Sequence, residues 1–158
     1  MEWVVGVVYA GFLFASGILA WIDARTKRLP DKVLFPLCGW GLLGLTAASW
    51  AGGAWWRLAV AAIAAALFYG LFWLLWFFGP MGFGDVKLVG VLGLFLGWAA
   101  LPVAVAGLLL GMLAACVAAL GGMALGRVGR KSMVAFGPYL ILGAWAALAA
   151  QAVELIRG

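Results

Sequence analysis

The residues able to do chemistry in this sequence are few. Among its 158 residues there is no histidine, and the only carboxylates are Glu2, Asp23, Asp31, Asp85 and Glu154. Two cysteines, Cys38 and Cys116, stand far apart within apolar stretches and read as buried, unpaired packing residues. Zinc centres of the Cys/His type, triads with a histidine base, and haem or iron–sulfur ligation fall away for want of ligands. No metal or other cofactor is expected, and any reaction must run on carboxyl groups.

Two of the five carboxylates have unusual settings. Asp23 closes the apolar run Ala20-Trp21-Ile22 and so belongs to the last turn of a helix, where it meets the negative end of the macrodipole. Asp85 follows Gly79-Pro80-Met81-Gly82-Phe83-Gly84 at the start of another helix, where free backbone N–H groups face it. The two settings favour different charge states, the condition for one carboxyl to act as general base on water while the other protonates a leaving group. A peptide bond is the obvious target. Gly82 and Gly84 suit this chemistry, because an extended peptide must bring its backbone close to Asp85, and glycine also permits unusual dihedrals in such a loop.

The elements that position these residues are membrane helices. Hydrophobic residues make up 68% of the chain and charged ones 9%, about a third of the charge content of an ordinary soluble domain. That composition excludes a soluble globule, a disordered chain, a disulfide scaffold and a nucleic-acid binder, although the net charge is +5. Uncharged runs long enough to cross about 30 Å of hydrocarbon predict spans at 3–22, 33–50, 56–78, 85–100, 102–125 and 134–153. The charge-free stretch from Leu88 to Gly126 is too long for one span, so a break is expected near Gly97 to Pro102. The reading is a single membrane-embedded domain over 1–158: an all-α integral membrane protein, a bundle of six transmembrane helices. The first run is read as a retained anchor, since Glu2 precedes it and its basic residues follow it. The alanine runs at 61–66 and 146–150 read as close-packing helix surfaces, within the chain or between subunits.

Six spans put Arg25, Lys27, Arg28, Lys32, Lys87, Arg127, Arg130 and Lys131 on one side, against Arg57 and Arg157 on the other. By the positive-inside rule both termini then lie outside the cytoplasm, with Asp23 and Asp85 at cytoplasmic ends of spans. Asp31, directly after Pro30, reads as a cap of the second helix. Lys87 lies two positions beyond Asp85, does not face it on a helix, and reads as a marker of the membrane boundary.

The residues from Asp23 through Pro30 to Asp31 resemble the first aspartate motif of the type IV prepilin peptidases. The run Gly82-Phe83-Gly84-Asp85-Val86-Lys87-Leu88 resembles their second, the GxGD motif, and Phe136-Gly137-Pro138-Tyr139 a third element at the start of the last span. The resemblance covers essentially the whole chain, in order and topology. It implies an inner-membrane aspartic endopeptidase that removes the short basic leader of prepilins or pseudopilins at the cytoplasmic face. Asp23 and Asp85 would be the catalytic pair, Gly82 and Gly84 the active-site loop, and Lys87, Gly137 and Pro138 auxiliary positions. It further implies a peptidase-only form, without the CxxC-bearing segment and N-methyltransferase activity of larger members. The rival reading is a small cation-coupled transporter using Asp23 and Asp85. Against it, both map to one membrane face and no acidic residue continues a path across.

Overall fold

The computed structural model describes residues 2–27, 29–79, 82–124 and 135–157. Six helices form it: α1 (Glu2–Thr26), α2 (Asp31–Gly52), α3 (Trp55–Phe78), α4 (Phe83–Ala99), α5 (Leu101–Ala124) and α6 (Gly137–Arg157). No strand occurs among the described residues. Five of the helices are long and apolar enough to cross a membrane, and the chain is a multi-pass membrane protein. Arg28, Arg127, Arg130 and Lys131, four of the residues used above to orient the chain, lie outside the described residues, as do Pro80 and Met81 of the glycine loop.

Local chemistry sets the helix ends. Thr26 ends α1, and the next residue, Lys27, adopts φ 52° while its N–H returns to the Asp23 carbonyl at 2.8 Å. This left-handed closure satisfies a carbonyl that the end of a helix would otherwise orphan. Gly53 performs the same turn after α2 at φ 63°, with the Ala54 N–H reaching the Ser49 carbonyl at 2.9 Å. Between α4 and α5 the helical course is broken by one extended residue, Ala100, at φ −170°. Pro102 follows in the first turn of α5, where a missing N–H costs nothing.

Packing centres on α4. Twelve of its 17 residues are buried, on all faces, as expected of a helix that is apolar all round. Its most extensive partner is α3, and α5 packs next most closely on α6. Both interfaces are lined by small residues. Gly93 and Gly97 of α4 lie against Ala61, Ala64 and Ala65 of α3, and Gly143 of α6 lies directly on the backbone of Gly107 and Gly111 in α5. Lipid chains are as apolar as the helices, so van der Waals contact between closely approaching backbones carries such association.

The outward faces carry Leu, Val and Phe, including Leu109, Leu113, Val117 and Leu120 along α5. Cys116 is exposed on the same helix and Cys38 is half-buried, both as free thiols. The expectation of two buried cysteines thus fails at Cys116, because an apolar stretch in a membrane protein can face lipid as readily as the core. Most exposed tryptophans lie toward the two ends of the bundle, with Trp40 in mid-α2 the exception. Trp3, Trp50, Trp55 and Trp56 stand at one end, Trp21 and Trp76 toward the other. Along α1 and α3 these groups are about 27–31 Å apart at 1.5 Å per residue, matching the hydrocarbon thickness that aromatic belts flank.

Candidate active site

The up-and-down order brings the end of α1 and the beginnings of α2, α4 and α6 to one end of the bundle. Asp23 sits there in the last turn of α1, 3% exposed, and Asp85 is the third residue of α4, 8% exposed. They are the two buried carboxylates among the described residues, and both lie at this same end of the bundle. Helix α4 starts from Gly82, whose carbonyl accepts the Asp85 N–H at 3.1 Å. This turn sets Asp85 in the first turn of the most enclosed helix.

The two loop glycines have different surroundings. Gly82 is exposed, and a Cβ there would lie 3.4 Å from Asp85 Oδ2, so its bare backbone leaves a way to that carboxylate. Gly84 faces inward: a Cβ would stand 3.0 Å from the Cβ of Leu29. Its smallness lets the connection that follows Asp23 pack onto the start of α4, which ties the two aspartate segments together. Neither glycine has a positive φ, so the expectation of unusual loop dihedrals is not met.

Asp31 does not cap α2. Pro30 holds the cap position without a side-chain bond, and Asp31 is the first helical residue. Its two carboxylate oxygens instead accept from Lys87 Nζ at 2.8 and 2.9 Å, joining the start of α2 to the first turn of α4. Lys87 also lies 5.2 Å from the rings of Phe35 and Phe83. Its ammonium serves Asp31, the exposed carboxylate, in place of Asp85.

The third element reaches the site directly. The N–H of Gly137, the first residue of α6, donates to Asp23 Oδ2 at 3.1 Å. Pro138 occupies the first turn of that helix, where it costs no hydrogen bond. Sequence reasoning placed Gly137 and Pro138 near the site without a contact, and it missed Leu29, for which no signal beyond its place in the first motif existed. An apolar cavity of about 490 Å³ opens between α2, α3 and α4, with Cys38, Ala65 and Lys87 on its wall. It lies on the Lys87 face of α4, and neither Asp23 nor Asp85 lines it.

Comparison with known proteins identifies the family. The sequence model of the type IV leader peptidase family matches residues 9–148, from the first helix to the last. The chain belongs to that family. Among its relatives, the prepilin leader peptidase/N-methyltransferase of Dickeya chrysanthemi is 35% identical over 164 residues, which cover 90% of this chain and 55% of the relative. Proteins of the same name from Aeromonas salmonicida (strain A449) and Burkholderia pseudomallei (strain K96243) are 36% and 37% identical, covering 82% and 90% of this chain and 44% and 47% of their own. The chain spans about half the length of the curated relatives it matches. No solved structure matches it significantly. In this type IV leader peptidase family member, the matched region contains every segment that builds the site.

Proposed function

We propose that the chain is an aspartic endopeptidase of the inner membrane that removes the short basic leader from type IV prepilins or pseudopilins. The observation that carries this reading is the placement of two buried carboxylates, Asp23 and Asp85, from helices distant in sequence, at one end of the bundle. Like charges so placed favour a state in which the pair holds one proton. The ionised carboxyl takes a proton from water as the water oxygen bonds to the scissile carbonyl carbon. The protonated carboxyl gives its proton to the carbonyl oxygen. Collapse of the tetrahedral intermediate then breaks the C–N bond: the leaving nitrogen takes up the proton first removed from water, and the other carboxyl recovers a proton from a hydroxyl of the intermediate, so the pair again holds one proton. Each step needs only carboxyl groups that exchange roles.

Charge supports the cytoplasmic face for this site. Among the described residues Arg25, Lys27, Lys32 and Lys87 lie at the site end, and Arg57 and Arg157 at the other. That bias puts the N- and C-terminal ends outside the cytoplasm. Asp23, two residues past Trp21, then lies at the level of the headgroup boundary, where a basic leader meets the membrane. The names of the relatives supply the substrate class. A transporter reading gains nothing from the structure: among the described residues no buried carboxylate lies between this end and the opposite one.

The test is cleavage of a pilin-like precursor with a short basic leader by the purified protein in detergent. Asp23→Asn and Asp85→Asn should each abolish it, and Asp31→Asn should retain it. Full cleavage by either of the first two, in a folded preparation, refutes the assignment.

A further inference from the structure

The contact between Asp23 and Gly137 joins residues 114 positions apart and is built from two separate constraints. The first is a donor. Gly137 opens a helix of 21 residues, and its N–H, one of those a helix cannot satisfy internally, donates to Asp23 Oδ2 at 3.1 Å. The second is a space. A Cβ on Gly137 would lie 2.5 Å from Asp23 Oδ2 and 3.1 Å from Cγ, so the carboxyl occupies the volume that any other residue would fill. Both partners are buried, which leaves the carboxyl no other seat without loss of its donor.

A protonated carboxyl accepts best at its carbonyl oxygen, so an N–H held on one oxygen favours the hydrogen on the other. We infer that Gly137 is a positioning residue that holds Asp23 with Oδ2 as a permanent acceptor, leaving Oδ1 as the oxygen through which Asp23 takes and returns a proton. This rests on the catalytic reading of the Asp23–Asp85 pair given above. Several charged groups stand near Asp23 among the described residues. Asp85 lies at the same end on α4, Arg25 on its own helix stacks over Trp21 at 4.4 Å, Lys27 follows at the helix end with its N–H on the Asp23 carbonyl, and Lys87 with Asp31 forms a separate pair. From α6 the partner is the uncharged Gly137 amide.

Two variants test the inference. Gly137→Ala fills the space and should lower kcat on the order of 100-fold, the penalty for a displacement of about 1 Å at a reacting group. Glycolic acid in place of Gly137 turns the 136–137 peptide bond into an ester, deleting the N–H without adding an atom. It should lower kcat roughly 10- to 100-fold, as expected when a hydrogen bond to a charged group is lost, with KM unchanged and the pH–rate profile displaced. Gly39→Ala, where a Cβ meets nothing within 4 Å, is the control and should behave as the parent. If Gly137→Ala fails to fold, the ester decides. An ester variant with the parental kcat overturns the inference, and so does a fall in kcat with an unmoved pH profile, which would mark Gly137 as a packing residue only. Activity in Asp23→Asn would instead overturn the catalytic reading beneath it, so the two failures are told apart.

Discussion

Gly93→Ala should separate α3 from α4 and destabilise the bundle. A Cβ at this position would stand 2.9 Å from the Ala64 carbonyl oxygen, 2.9 Å from Ala65 Cα and 3.0 Å from the Ala65 nitrogen. All three are backbone atoms, so no change of rotamer relieves the contact. Ordinary packing begins near 3.4 Å, and the helices must part by roughly 0.5 Å, where dispersion contacts are already forfeited in part. Overpacking of this kind costs about 1–3 kcal/mol, or roughly 5- to 150-fold in the folded-to-unfolded ratio. Gly70→Ala in α3 is the opposite case. Nothing lies within 4 Å of its built Cβ, and the gain in helix propensity should stabilise by about 0.5–1 kcal/mol. Reversible unfolding in mixed micelles, followed by the tryptophan signal, measures both. Asp85 lies about 12 Å up the same helix, so cleavage should also fall in Gly93→Ala and not in Gly70→Ala. Equal stability of the two variants would refute the argument that backbone approach limits this interface.

Two further outcomes follow from side-chain contacts. Lys87 and Asp31 form a partly exposed pair, so Lys87→Met and Asp31→Asn should each change stability by no more than about 1 kcal/mol, with a coupling of the same order in a double-mutant cycle. Ser49 Oγ accepts from Trp98 Nε1 at 3.0 Å inside the bundle; Ser49→Ala should cost about 1–3 kcal/mol by stranding the indole donor, while Ser49→Ala combined with Trp98→Phe should recover part of it in the same unfolding assay.

The all-helical membrane fold was legible because its signal is carried by long uncharged runs, and the family was legible because its two aspartate motifs and the Phe136–Tyr139 element are local strings. The packing direction of each helix was not. Lipid-facing and core-facing positions are both apolar in this chain, so no periodicity separates Cys116, which is exposed, from Ala115, which is buried. Pairings across the bundle were equally hidden. Asp31 was assigned to its own helix because local rules favour a cap there, and its partner proved to be Lys87, 56 residues away. The neighbourhood of Asp23 shows the same limit. Only its own helix end could be read from sequence, whereas the dipole of α6 arrives from 114 residues further on. Gly84 was read as an opening for a peptide, and its contact with Leu29 is set by the meeting of two connections that no spacing rule relates.

Helix α4 has 17 residues and α3 has 24, lengths of about 25 Å and 36 Å. A lipid-facing helix of the shorter length would suffer hydrophobic mismatch in a bilayer of ordinary thickness, and thinning or tilt would have to absorb it. Because α4 is sheathed by its neighbours, it escapes that constraint, and its start can lie recessed from the level at which the outer helices emerge. Changes in bilayer thickness reach Asp85 only through the tilt of the surrounding helices. The membrane dictates the lengths of the five outer helices and spares the one that carries Asp85.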